Sequence, residues 1–256
     1  LNRRAHLFAA AALSAVLAAV IVVRTRRAPE HEQEWNRVVA ALQQIAEEYP
    51  EALEQPETAP PRLLQLAGLL DQVSAPIADA QARAQLAEIR KRVLGTDYYL
   101  GTKCKELANR IAERTNLRQT PLHNPDLANG RRVYAQACAA CHGPDLAHPS
   151  TAVGAALQPP AVDIWHPQYN WTPYEIYNRI TYGGVETAMP SFEEGLSAEE
   201  RWDVAFFLSA ERWPPCSKKL PPISAGELAL LGDYQLSNRF GYAAAACLRR
   251  NFLPPR

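Results

Sequence analysis

The sequence predicts an all-α protein in four successive parts: residues 1–28, 29–120, 121–213 and 214–256. Three observations carry this. Residues 7–23 form an uncharged, almost wholly apolar run. Four consecutive stretches then repeat apolar residues at the spacing of one helix face. Two further stretches open with capping-box signatures, Thr172-Pro-Tyr-Glu175 and Ser197-Ala-Glu-Glu200.

Composition narrows the function classes. The 256 residues hold 27 Lys+Arg and 27 Asp+Glu, a formal charge of zero. Nucleic acid is thereby disfavoured as a partner, because phosphate binding needs a basic surplus. A hydrophobic content of 47% excludes wholesale disorder. The 21 Pro indicate many fixed turns, and five Cys are too few for a disulfide scaffold of this length. There is one Met.

The apolar run spans roughly 25 Å as a helix, the short end of what crosses a bilayer. Arg3 and Arg4 precede it, and Arg24, Arg26 and Arg27 follow it. A secretory signal peptide shares the basic start and apolar middle. This run is longer than the usual signal core and meets Arg instead of a small-residue cleavage site, so an uncleaved transmembrane anchor is expected. The distal Arg cluster argues for a cytoplasmic following segment, in conflict with the chemistry downstream.

In residues 29–120 the apolar faces are Trp35, Val38, Val39, Leu42, Ile45, Ala46 and Tyr49, with Pro50 expected to end the first helix. A Glu- and Pro-rich loop is expected over 51–61. Leu63, Leu66, Leu70 and Val73 mark the second helix, and Ala82, Leu86, Ile89 and Val93 the third, closed by Gly95. Cys104, Leu107, Ala108 and Ile111 mark the fourth. Four amphipathic helices with short connections predict an antiparallel bundle, with docking or spacing as its role. Residues 115–125, polar with two Pro, read as the domain boundary.

The chemistry lies beyond it, in Cys138-Ala-Ala-Cys141-His142. This composition gives on the order of 0.002 chance occurrences of Cys-x-x-Cys-His. Two thiols a helical turn apart can each add to one vinyl group of a haem, and the next residue then presents an imidazole to the iron. A redox dithiol would not need His142, and a zinc site would need two more ligands at matching spacing. One covalent haem c is the reading. For the sixth iron position the candidate is Met189, held between Gly183-Gly184 and Pro190 in a loop 47 residues past His142. Its rivals are His148, too near in sequence to reach the opposite haem face, and His166, in an aromatic, Pro-rich segment.

Residues 126–210 resemble a monohaem class I cytochrome c domain, in which the first and last helices cross near a Gly and an aromatic residue. Gly130 and Tyr134 match the first helix, and Phe206 or Phe207 the last. The resemblance implies that the axial His donates its other ring N–H to a Pro carbonyl, for which Pro159 and Pro160 are the candidates. The phrases Tyr-Ala-Gln-Ala-Cys-Ala-Ala-Cys-His-Gly, Thr-Ala-Met-Pro-Ser-Phe and Leu-Ser-Ala-Glu-Glu-Arg-Trp-Asp-Val-Ala-Phe-Phe are similar to the cytochrome module fused to some bacterial high-affinity iron permeases. The segment from Ile223 to Cys247 is similar to the stretch on the C-terminal side of the module in those fusions. The Gly-rich loop usual after the haem motif is replaced by residues 144–151, and the permease half with its Arg-Glu-x-x-Glu motif is absent from the sequence.

Haem attachment of this type is completed outside the bacterial cytoplasm, as the resemblance implies, so disulfides are permitted. A Cys216–Cys247 bond would close the tail as a helical hairpin, with Cys104 buried and free; the alternative is that Cys104 pairs with one of those two. Among Trp165, His166, Tyr169, Trp171 and Tyr182, the sequence does not separate core packing from hydrogen bonding to a haem propionate.

The expected function is one-electron transfer at the bacterial inner membrane, with the haem domain facing the periplasm. Redox proteins or subunits of a membrane complex are the expected partners. The alternative is an iron-handling accessory that accepts electrons from ferrous iron beside a permease, with Glu193-Glu194 and Glu199-Glu200 as the nearby acidic pairs.

Overall fold

Helix α1 (Glu30–Glu54) buries Trp35, Val38, Val39, Leu42, Ile45, Ala46 and Tyr49. These are the positions that a 3.6-residue period places on one stripe. The computed structural model describes residues 30–54, 59–144, 146, 151–162, 164, 170–184, 187–214, 216, 220 and 223–251. Among them every regular element is a helix. No helix of these residues is long and apolar enough to cross a membrane. The expected anchor at residues 7–23 lies outside the described residues.

Helices α2 (Ala59–Ser74), α3 (Ala80–Val93) and α4 (Leu100–Arg114) complete a bundle with α1. The packing closes on itself: α1 touches α2 and α4, while α3 touches α2 and α4. Asp79 caps α3 by accepting from the Ala82 N–H at 2.9 Å. Tyr49 ties the α3–α4 turn to α1, donating to the Gly95 carbonyl at 2.6 Å and accepting from the Asp97 N–H at 2.8 Å.

Pro50 does not end α1, and the loop expected over 51–61 is helical through Glu54 and again from Ala59. Proline removes one helical donor, so the Ala46 carbonyl loses its usual partner. Gly101 of α4 packs against that carbonyl, where a Cβ would sit 2.9 Å from the oxygen. Close packing of α4 on α1 therefore outweighs the local cost, and Ala52 beyond the proline is buried.

The second unit is α5 (Leu127–Ala137), α6 (Ala139–His142), α7 (Ala152–Ala155), α8 (Pro173–Tyr182) and α9 (Ala198–Glu211). Both capping boxes form, Thr172 with Glu175 on α8 and Ser197 with Glu200 on α9. Helices α5 and α9 cross at Gly130, where a Cβ would meet the Asp203 carbonyl at 2.2 Å. Tyr134 and Phe207 pack beside the crossing with ring centroids 5.7 Å apart. Phe207, not Phe206, is thus the crossing partner. The 115–125 segment lies on the body, with Leu117 and Pro125 buried.

The tail is three short helices instead of a hairpin: α10 (Ala225–Ala229), α11 (Asp233–Phe240) and α12 (Tyr242–Asn251). A disulfide joins Cys216 to Cys247, with Cα atoms 5.2 Å apart, and Cys104 is buried and free. Arg249, 5% exposed, donates to the Asp233 carboxylate at 3.0 Å and to the carbonyls of Leu228 and Leu231. Arg250 pairs with Glu211 of α9, and Tyr242 packs on Trp213 with centroids 5.0 Å apart.

Candidate haem site

The Cys-x-x-Cys-His segment is presented as a tightly bonded turn. Helix α5 runs into α6 through Cys138, whose N–H donates to the Tyr134 carbonyl at 2.9 Å. The His142 N–H returns to the Cys138 carbonyl at 3.0 Å, and the Gly143 N–H to Ala139 at 3.0 Å. Gly143 has φ +90°, a conformation that only glycine adopts cheaply. Its carbonyl accepts from the buried Tyr134 hydroxyl at 2.7 Å. Two of the carbonyls left at the end of α6 are covered by one residue: Thr151 gives its hydroxyl to Ala140 at 2.6 Å and its N–H to Cys141 at 3.1 Å.

Cys138 and Cys141 are half-buried thiols that do not bridge each other. Burial, with the neighbouring Cys141, pushes the Cys138 thiol up to about 11. His142 is half-buried, and burial lowers its pKa against the opposing effect of a hydrogen bond to the Val162 carbonyl. That bond, 3.1 Å from Nδ1, corrects the expectation of Pro159 or Pro160 as acceptor. Both prolines are exposed. The Ala161 N–H bonds to the Gly154 carbonyl at 2.9 Å, which brings Val162 back to the imidazole. Every residue carries a carbonyl, so nothing about the acceptor role required proline.

Met189 is half-buried and its side chain packs against the core. Its backbone is pinned within a narrow loop: the N–H donates to Thr187 Oγ1 at 3.2 Å, and the carbonyl accepts from Gly184 N–H at 3.2 Å. Gly183, at φ +74°, leaves no room for a side chain, since a Cβ would lie 2.6 Å from the Met189 carbonyl. Of the rival ligands, His148 and His166 lie outside the described residues, as do Trp165 and Tyr169. Trp171 and Tyr182 line a cavity of about 240 Å³ between this unit and the bundle.

Comparison with known proteins agrees with this geometry over the same stretch. Residues 125–208 match the family of cytochrome c oxidase, cbb3-type, subunit III. This segment is a cytochrome c module. A thiosulfate dehydrogenase of Thiomonas intermedia (strain K12) is 29% identical over 99 residues, covering 37% of this chain and 29% of that relative. The chain thus matches less than a third of the relative's length. No solved structure matches the chain. Neither match is to a permease fusion.

A cytochrome c module of this kind carries covalently bound haem c. The residues present fit it. Two unbridged thiols stand one turn apart, beside an imidazole that burial keeps toward its neutral form. With Nδ1–H committed to Val162, the lone pair of Nε2 is the one available to iron.

The module is joined to the bundle by a polar seam. Asn178 of α8 donates to Gln43 of α1 at 2.8 Å, both side chains being buried. Arg179 pairs with Glu48 at 3.0 Å, Glu193 with Arg37 at 3.4 Å, and Lys105 bridges Glu47 at 3.0 Å and Glu175 at 3.2 Å. Burial and the Glu175 charge raise Glu47 from 4.5 to about 7, despite Lys105. Sequence reading found the haem motif and the Met189 loop but missed Val162, Thr151 and this seam. A Thr shortly after the motif is a capping signal that could have been read; the seam pairs residues far apart in sequence and leaves no local pattern.

Proposed function

We propose that this protein is a membrane-anchored, monohaem c-type cytochrome that passes single electrons, with His142 and Met189 as the axial iron ligands. Its working place is the periplasmic face of the bacterial inner membrane, among the subunits of a larger redox complex. The observation that carries the reading is the His142 imidazole, oriented through Nδ1 by the Val162 carbonyl and disfavoured as a cation by burial, directly after two unbridged thiols.

Haem supplies a one-electron Fe(III)/Fe(II) couple. The protein's part is geometric. Val162 orients the imidazole, Thr151 and Tyr134 hold the turn that bears it, and the Gly183–Pro190 loop presents a thioether. With both His142 and Met189 holding the iron, no position would stay open for substrate, which would favour electron transfer over oxygen or peroxide chemistry. The apolar run at 7–23 supports a tether, and a tether raises the effective concentration of a membrane-bound partner.

Three of the four glutamates considered for ferrous iron have other partners. Glu193 meets Arg37, Glu199 lies 4.0 Å from His123, and Glu200 closes the α9 capping box. No group of three metal-ligating side chains forms among the described residues. Inorganic sulfur compounds are the first electron donors to try on the native complex, because the Thiomonas relative is named for thiosulfate oxidation.

The test is a redox titration of the purified holoprotein with carbon monoxide as probe. A single one-electron transition and no carbon monoxide binding by the native reduced form are expected. Carbon monoxide binding without denaturation would overturn the two-ligand reading.

A further inference from the structure

The Met189 loop is rooted at both ends on α8. At its entry, the Gly183 N–H donates to the Arg179 carbonyl at 2.9 Å. At its exit, the Ser191 hydroxyl donates to the Thr181 carbonyl at 2.7 Å, and the Phe192 N–H to Ile180 at 3.1 Å. The position of Met189 therefore follows the position of α8. One side of α8 stacks on α9, where Tyr177 and Trp202 lie with centroids 4.3 Å apart. Its other side meets the bundle through the polar seam.

That seam attaches at the roots of the loop. The Arg179 side chain bonds Glu48 of α1 while its carbonyl receives the loop's first residue. Glu193, two residues past Ser191, bonds Arg37 of the same helix. Between them sits the buried amide pair Gln43–Asn178. Partly exposed ion pairs contribute little alone. A buried amide that loses its partner is costly, so this pair resists sliding of α8 along α1.

We propose that the N-terminal bundle is a brace for the sixth iron ligand, and that Gln43 is its positioning residue. Through Asn178, Gln43 holds α8 in the register that keeps the Met189 thioether in place. The bundle thus acts on the haem site without contributing a ligand. This rests on the reading of Met189 as the axial ligand. In equilibrium terms, the protein exchanges between a Met189-on and a Met189-off arrangement, and the seam favours the first.

The test uses the full-length holoprotein in its ferric form, with imidazole as an exogenous ligand. Imidazole can bind only when Met189 leaves, so its apparent affinity reports the off population. Gln43→Ala and Asn178→Ala are each expected to raise imidazole affinity about tenfold and to lower the reduction potential. The double variant should match the stronger single one, because both remove the same bond. The exchanged pair, Gln43→Asn with Asn178→Gln, should restore most of the affinity difference. Leu86→Ala, in the bundle core and outside the seam, serves as control and should leave imidazole affinity unchanged. Hydrogen exchange of the Gly183, Gly184 and Met189 amides should quicken in Gln43→Ala but not in Leu86→Ala.

Wild-type imidazole affinity in both seam variants would overturn the brace, as would an equal rise in Leu86→Ala. Met189→Ala separates the two readings. If it leaves the ferric spectrum unchanged, Met189 is not the ligand. If it abolishes the thioether–iron charge-transfer band while Gln43→Ala leaves imidazole affinity unchanged, only the brace fails.

Discussion

Gly130 lies directly against the Asp203 backbone: a Cβ placed there would be 2.2 Å from the carbonyl oxygen and 2.7 Å from Phe207 Cβ. The contact sits at the crossing of α5 and α9, the two helices that frame the cytochrome c module. Neither obstacle is a flexible chain end, so a methyl group can be admitted only by moving a helix. Gly130→Ala is expected to destabilise the protein by ~3 kcal/mol. Urea denaturation measures this. A midpoint within error of wild type would show that the two helices can part at little cost.

The Asp203 carboxylate also spans the crossing. It accepts from the Asp126 N–H at 2.6 Å and from the Asn129 side chain at 2.7 Å, and the residue is 5% exposed. Asp203→Ala leaves both donors short of a partner at the start of the helix that leads to the haem motif. A loss of about 2 kcal/mol is expected, read from thermal or urea unfolding of the holoprotein. Asp203→Asn should recover part of it, since an amide oxygen can still accept one bond.

Glu47 gives the fold a pH dependence of definite sign. Its folded pKa of about 7 lies above the ordinary 4.5, because burial and Glu175 disfavour its charge. The folded protein therefore holds a proton that the unfolded chain has released between these values. Stability falls as pH rises through that window, then levels off above it. Lys105 does not mask the effect. Its own pKa is raised, so it stays charged throughout the window. Glu47→Gln should match wild type near pH 4 and exceed it at pH 8. Equal stability at both pH values would refute the assignment.

The Cys216–Cys247 bond closes a loop with a sequence separation of 31 residues. Cross-links of this span stabilise by about 3 kcal/mol. The double substitution Cys216→Ala with Cys247→Ala should loosen the tail first, because α12 reaches α9 only through a few contacts such as Arg250–Glu211. Limited proteolysis should then remove α12 while the haem spectrum persists. Simultaneous loss of the spectrum would mean that the tail and the haem site unfold as one unit.

The helices were largely legible in the sequence because burial imposes a period. All seven positions read as the face of α1 are buried, as are all four on α3 and all four on α4. The capping boxes were legible too, since each is a local exchange of two hydrogen bonds. The Pro50 expectation failed because a tertiary contact, Gly101 against Ala46, competed with a local rule. The His142 partner was misplaced because a carbonyl acceptor has no side-chain signature. Gln43 and Asn178 meet across 135 residues of chain, and ordinary polar residues give no warning of such a meeting.

Five cysteines leave an odd one, and its placement bears on how the chain matures. Cys104 is wholly inaccessible in the bundle core, and burial together with the Asp97 charge pushes its thiol up to about 12. At neutral pH only on the order of one molecule in 10⁵ carries the thiolate needed for disulfide exchange. Once the bundle has folded, this sulfur is withdrawn from the reactive pool. Four sulfurs remain, and the architecture sorts them into one pair held in a single turn for the porphyrin and one pair brought together by the tail. With the bundle folded, Cys104 is therefore no competitor for either pair.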